Sequence, residues 1–322
     1  MNYHLPIKAF IATFLMLAIV QVKLENPYII LERFVKGGGW FEIVLIAAYA
    51  AFLIHKMEKP GEVAKWRKIS WLIFSAVFFS QLVLGIFVES RFLMTGKLHL
   101  PVPALILSGS IYRANISFMP ILFLSTIVLS GPAWCSQLCY FGAFDNLAAN
   151  GKKRSNKPIK NKLRIKYIGL IIIIVVTLVL RIVNVSVINS TIIAIVFGLV
   201  GILIIIFISG RTNKMVHCIT YCPIGTIASY LKYISPFRMK IANSCTNCMA
   251  CITKCKYDAL SIMDIENKKP GITCTYCGDC LSSCTQNSIE YRFFRISSEK
   301  ARNLYLIITV SLHAIFIGLG RI

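Results

Sequence analysis

Residues 245–284 read CTNCMACITKCKYDALSIMDIENKKPGITCTYCGDCLSSC, and the spacing of the cysteines in that stretch decides how the chain is organised. Cys245, Cys248, Cys251 and Cys255 form a C-x2-C-x2-C-x3-C run. Cys274, Cys277, Cys280 and Cys284 repeat it, every cysteine displaced by 29 residues. Each run is followed by a short apolar return, Ala259-Leu260-Ser261-Ile262 and Ser288-Ile289-Glu290-Tyr291. Thiolates two residues apart wrap a tight loop around one metal centre, whereas disulfide frameworks show no such tandem regularity. Two readings compete, zinc and iron–sulfur. Structural zinc takes four ligands, but seldom as two complete four-cysteine runs in tandem. We therefore expect two [4Fe–4S] clusters, in a reducing compartment.

Around this stretch the chain is strongly apolar. Of its 322 residues 57% are hydrophobic and 15% charged, with a mean hydropathy of +0.70. Ordinary soluble domains carry about 25% charged residues. Runs long enough to cross a bilayer as helix are expected near 5–22, 39–55, 70–88, 115–131, 166–184 and 192–209, with 303–320 as a seventh. The first lacks a small-residue cleavage site and reads as a retained helix. The expected fold is thus an α-helical integral membrane protein of six or seven spans. Residues 1–239 form the membrane domain, 240–293 the cysteine-rich domain and 294–322 the last span.

The formal net charge of +22 has two explanations, nucleic-acid binding and membrane topology. The loop 152–166 (KKRSNKPIKNKLRIK) holds eight basic residues and no acid, the linker 56–68 holds Lys56, Lys59, Lys65, Arg67 and Lys68, and the connection 185–191 (VSVINST) is uncharged. With the N-terminus inside, every loop satisfies the positive-inside rule. That topology puts the ferredoxin-like segment on the cytoplasmic side of the inner membrane. No separate domain remains for nucleic acid.

The other four cysteines form a second repeat. Cys135-Ser-Gln-Leu-Cys139-Tyr-Phe-Gly142 recurs 83 residues later as Cys218-Ile-Thr-Tyr-Cys222-Pro-Ile-Gly225. Each copy closes a helical hairpin, giving repeats over 70–142 and 166–225, and both C-x3-C pairs are expected at the same face. On a helix, residues i and i+4 share a side. Two pairs meeting would offer four thiolates to a further cluster or metal. Redox-active dithiols and inert buried thiols are the alternatives. His217 beside Cys218 is noted as a neighbour.

The tandem runs closely resemble bacterial two-cluster ferredoxins, whose small domain is α+β. That resemblance implies that Cys245, Cys248, Cys251 and Cys284 hold one cluster and Cys274, Cys277, Cys280 and Cys255 the other. It also assigns Ala250 and Gly278 to backbone approach toward sulfur. The family's Pro after the fourth cysteine is Lys256 and Thr285 here. Over residues 70–292 the chain resembles the membrane polyferredoxins of the NapH/NosR/CcoG type. These are ferredoxin subunits of quinol dehydrogenases, regulators of nitrous-oxide respiration and copper-reducing assembly factors. The second unit matches their C-x3-C-P fully, whereas Tyr140 replaces Pro in the first. The flavin-domain regulator is disfavoured.

The resemblance implies electron transfer between quinol or a membrane partner and a redox protein, in contact with membrane lipid. Its alternative is metal, notably copper, reduction or assembly at the C-x3-C pairs. No catalytic acid–base or nucleophilic site is identified. Glu42, Glu89 and Arg181, at outer helix ends, read as structural pairs in preference to proton acceptors for quinol. The apolar loop 98–113 reads as re-entrant, since irregular backbone at membrane depth must be covered by protein. His55, His99 and His313 form no opposed pair, and no haem is expected.

Overall fold

The structure is a computed structural model that describes residues 4–24, 26–93, 100–116, 118–150 and 157–319. The chain separates into two compact units, Met1–His99 with Tyr291–Ile322, and Leu100–Glu290. The division falls at 99/100 and 290/291, and each unit has helices of membrane length.

In the first unit α1 (His4–Lys23) and a short α2 (Ile30–Phe34) precede α3 (Gly38–Met57) and α4 (Pro60–Phe87); α13 (Ser298–Gly318) completes it. Gly37, at φ +82°, supplies the left-handed turn before α3, a conformation open to glycine at little cost. Pro60 opens α4 at the first helical position, where its missing N–H is not needed. The helix consequently starts ten residues before the span expected at 70, and most of the linker 56–68 is helical. Arg67 on that first part is 1% exposed, its guanidinium 5.0 Å from the centre of the Trp71 ring.

α1, α3 and α13 pack against one another around Ala9, Ala50, Leu53, Ile54, Leu306, Val310 and Ala314. Alanine at the crossings lets backbones approach closely, as membrane helices require. Glu42 accepts the Leu31 N–H at 2.6 Å. Arg33 donates to the carbonyls of Pro27, Tyr28 and Leu319, and Glu89 pairs with Arg91. His313 is buried with a ring nitrogen 3.2 Å from Tyr49 Oη. His99 lies outside the described residues.

The second unit begins with α5 (Leu105–Arg113) and α6 (Phe118–Ser130), continues through α7 (Tyr140–Ala148), α8 (Lys162–Ile182), α9 (Val187–Leu203) and α10 (Pro223–Leu231), and ends in the cysteine-rich segment. There α11 (Ala250–Lys254) and α12 (Ile262–Glu266) lie between strands β1 (Phe237–Ile241) and β2 (Ile289–Phe293), which form a two-stranded sheet. Ser261 and Asp264 close a reciprocal capping box on α12.

α5 packs on α8 and reaches α10. Its C-terminal end is tied by Tyr112 O–H to Val185 O at 2.6 Å and by Arg181 to Ile111 O at 3.2 Å. Val102, just before it, lies against Gly198, partway along α9, where a Cβ would come within 2.9 Å of it. The described part of the loop 98–113 therefore runs along the hairpin α8–α9.

Among the described residues, seven helices are long and apolar enough to cross a membrane: His4–Lys23, Gly38–Met57, Pro60–Phe87, Phe118–Leu138, Lys162–Ile182, Val187–Arg211 and Ser298–Gly318. α8 and α9 leave Ile168, Ile171, Ile172, Val175, Ile192 and Val196 exposed, a surface suited to lipid. The arrangement is consistent with a multi-pass membrane protein.

Candidate metal centres

The 29-residue repeat is carried into the backbone. Asn247 and Tyr276, Met249 and Gly278, and Asp258 and Asn287 are three pairs at that spacing, all six with positive φ. These left-handed residues turn each run so that its cysteines face inward. Ala259 N–H points at Cys255 Sγ and Ser288 N–H at Cys284 Sγ, both at 3.2 Å. Hydrogen bonds of this kind stabilise thiolate charge.

The eight thiols fall into two groups. Cys251 lies among Cys284, Cys245 and Cys248, and Cys280 among Cys277, Cys255 and Cys274. Cys255, Cys274, Cys277 and Cys280 line a single cavity. Each run's fourth cysteine is thus placed with the other run's first three. Burial pushes the Cys255 thiol up to about 12, against the Ala259 N–H that lowers it. Cys248 is exposed. Lys256, in the place of the ferredoxin proline, donates to Ala149 O at 2.9 Å.

The remaining four cysteines meet as well, but not on regular helix. Trp134–Leu138 and His217–Tyr221 are π-helical turns. Cys222 N–H donates to His217 O at 3.0 Å, one residue further back than in an α-helix. Cys139 and Cys222 then leave in extended conformation as N-caps of α7 and α10, accepting the Ala143 and Thr226 N–H groups at 3.3 Å. The expectation that each pair shares one α-helical face is corrected accordingly. The wider turn releases the chain, and single-turn π segments of this kind recur at functional sites. Gly225 closes the arrangement, because a Cβ there would sit 2.7 Å from Cys218 O.

Cys135, Cys139 and Cys222 are each 8% exposed. Burial pushes the Cys218 thiol well up, and Asp145, Cys139, Cys222 and Cys135 beside it push further. The Cys222 thiol is also raised by burial, opposed by the N–H groups of Gly225 and Ile224 at the start of α10. All four sulfurs therefore face one small region.

Sequence reading missed several groups here. Asp145, fully buried on α7, accepts the Cys218 N–H at 2.9 Å, and burial pushes its carboxyl up to about 6. Burial lowers His217 to about 4. Ligand atoms of Asp145, His217 and Cys218 lie within 4.8 Å of one another. Aligning the repeats would have flagged Asp145, whose counterpart 83 residues on is Ala228. Lys166, the last residue of the basic loop 152–166, is buried, as are Lys214 and Lys232.

A family model described as a 4Fe-4S binding domain matches residues 114–158 and 194–242. This supports an iron–sulfur protein of ferredoxin type. The matched segments carry Cys135, Cys139, Cys218 and Cys222, the quartet that spacing alone left open. Two uncharacterized proteins of Methanocaldococcus jannaschii are similar, one 25% identical over 53% of this chain and 69% of its own length, the other 24% identical over 58% and 82%. No solved structure matches. The donor sets fit iron–sulfur clusters: groups of four thiols, peptide N–H groups aimed at sulfur, and a cavity lined by four cysteines.

Proposed function

We propose that this chain is a membrane electron-transfer protein working between quinol, or another membrane partner, and a redox protein. In this reading Cys245, Cys248, Cys251 and Cys284 hold one [4Fe–4S] cluster, and Cys274, Cys277, Cys280 and Cys255 a second. The quartet Cys135, Cys139, Cys218 and Cys222 holds a third centre. A bound [4Fe–4S] cluster supplies a one-electron carrier. The same reading makes the protein one of the NapH/NosR/CcoG-like polyferredoxins, in the inner membrane, with the N-terminus and the ferredoxin segment on the cytoplasmic side.

One observation carries the reading: the second cysteine run is packed directly on the quartet. Tyr257 O–H donates to Cys135 O at 2.6 Å, and Ser136 Oγ to Thr275 O at 3.3 Å. A Cβ on Gly131, whose φ is +63°, would come 3.1 Å from the Tyr276 ring. Pro132, Cys135 and Cys218 share a cavity with Tyr257, Thr273 and Thr275. The two thiol systems are therefore packed directly on each other within one unit, and Cys248 is exposed.

Anaerobic purification with iron and sulfide analysis tests this. Roughly twelve irons per chain supports three cubane centres, roughly eight leaves the quartet without one, and an iron-free or zinc-only protein ends the reading. Electron exchange between the clusters and added quinone or quinol then tests the membrane partner.

A second reading, a metal-reducing or assembly factor acting on an ion such as copper, is favoured by the mixed oxygen, nitrogen and sulfur donors of Asp145, His217 and Cys218. Replacing the quartet by Ser separates the two. Loss of metal reduction with normal electron exchange between the clusters and quinone supports the second reading.

A further inference from the structure

Three lysines of the second unit are buried beside the thiols, and they are not equivalent. Lys214 is 1% exposed and donates to Cys255 O at 2.9 Å, but Asp258 Oδ1 stands 3.3 Å away and compensates its charge. Lys232 is 3% exposed and donates to Ile272 O at 2.7 Å and Cys274 O at 3.2 Å, 5.6 Å from the centre of the Tyr276 ring. Lys166, also 3% exposed, donates to Ser229 Oγ at 2.6 Å and lines the cavity that holds Cys135 and Cys218.

The charges that bear on these two ammonium groups are chiefly thiols and other cations. Lys166 faces Cys135, Cys222, Cys218 and Lys232; Lys232 faces Cys274, Lys269 and Arg238. Two neighbouring buried cations are costly unless anions stand opposite; Asp145 bears on Cys218 and Cys222 and Asp264 on Cys274, and the thiols are the groups that Lys166 and Lys232 themselves face. Deprotonated, metal-bound thiolates are such anions. On the exposed side the pattern differs: the groups that bear on Cys251 are Cys284, Cys245 and Cys248, with no cation among them.

Adding an electron to a four-thiolate centre adds one negative charge and moves no atoms. A fixed cation nearby therefore favours the reduced form, while burial without one disfavours it. We propose that Lys166 and Lys232 order the three thiolate centres in potential, so that an electron entering near exposed Cys248 settles toward the membrane edge. The electron comes from a reduced one-electron redox protein, which is oxidised. Two such transfers with two protons from water convert one quinone to quinol. Lys166 and Lys232 are positioning residues: they touch no substrate and act through the charge they hold.

The inference rests on the proposed function, and one set of measurements on the full chain in detergent separates their failures. Iron analysis decides whether clusters are present at all. Paramagnetic resonance titration of the loaded wild type then gives each midpoint, the exposed centre being identified as the signal that Cys248→Ser removes. The expected order places that centre lowest. Lys232→Met is expected to lower the midpoint of the Cys274 centre by about 59 mV, a tenfold change in the ratio of its oxidised and reduced forms. Lys232→Arg is expected to restore it. Lys166→Met is expected to lower the quartet's midpoint in the same way, and Lys65→Met, at an exposed ion pair, to move none.

An exposed centre with the highest wild-type midpoint overturns the proposal without any variant. So does a Lys166→Met or Lys232→Met protein with full iron content and unmoved midpoints. A variant that loses its iron is replaced in the comparison by the wild-type order, which stands by itself.

Discussion

The two cysteine systems of the second unit solve the same problem by opposite means. In the 245–284 segment the sulfurs are brought together locally, by left-handed residues repeated at 247/276, 249/278 and 258/287. At the quartet no local device suffices. Cys135 and Cys218 sit in π turns, Cys139 and Cys222 cap the helices that follow, and four thiols more than eighty residues apart in pairs meet only because α6, α7, α8 and α10 pack around the two π turns. A centre of the first kind depends on its own loops. One of the second kind reports the integrity of the membrane-length helices around it.

The strongest way to break this comparison is to remove one system and ask what happens to the other. With Cys135, Cys139, Cys218 and Cys222 replaced by Ser, the chain is expected to lose about four irons and keep about eight. The magnetic interaction between the two ferredoxin-type centres should persist. Loss of all iron would show that the local loops do not stand without the helices.

A smaller effect tests how the two systems are joined. Asp258 is 4% exposed and holds Lys162 at 2.8 Å, Lys214 at 3.3 Å and the Ile159 N–H at 3.1 Å. Its repeat partner is Asn287, so Asp258→Asn makes the two copies alike while keeping a residue that tolerates positive φ. Only charge is lost. Removing one member of a buried pair leaves Lys214 uncompensated, an expected cost of about 3 kcal/mol. A thermal shift of the detergent-solubilised protein measures it, and an unchanged midpoint would mean that solvent reaches Lys214.

These features also mark where the sequence was legible. The tandem runs were readable because every ligand lies within a few residues of the next, and the membrane-length helices because apolarity over twenty residues has one common explanation. The meeting of the quartet was not readable, because π turns carry no periodic signature and contacts between hairpins leave no spacing. The basic residues misled in a specific way. Counting Lys166 as loop charge satisfied the topology rule, yet it is buried, its Nζ donating to Ser229 Oγ, and Lys214 and Lys232 are buried likewise, donating to Cys255 O and Ile272 O. The linker 56–68 misled for a related reason, since Pro60 opens a helix as readily as it closes one.

Gly225 sharpens the contrast through the sign of an effect. Inside a helix such as α10, Gly→Ala ordinarily stabilises by about 1 kcal/mol. Here the added Cβ would lie 2.7 Å from Cys218 O, which is backbone and unable to swing aside. Gly225→Ala is therefore expected to destabilise by about 2 kcal/mol, the usual range for overpacking. Its signature is selective: iron lost from the quartet, with the ferredoxin-type signals intact. A stabilised variant with full iron would show that the helices yield at this point.

The gentlest test acts at the seam itself. Tyr257 is buried, and its hydroxyl donates to Cys135 O across 122 residues of sequence. Tyr257→Phe keeps the ring and removes only that donor, leaving a buried carbonyl acceptor next to a ligand of the quartet. The expected cost is about 1.5 kcal/mol, between the net value of one hydrogen bond and the full penalty of an unmet acceptor. Both thiol systems should keep their iron, since no sulfur moves out of its group. Hydrogen exchange should quicken at the backbone around Trp134–Leu138 while the turns at 247–249 and 276–278 hold their rates. Exchange that quickened equally in both would mean that the loops lean on the helices after all, and the distinction between a locally built centre and an assembled one would fail.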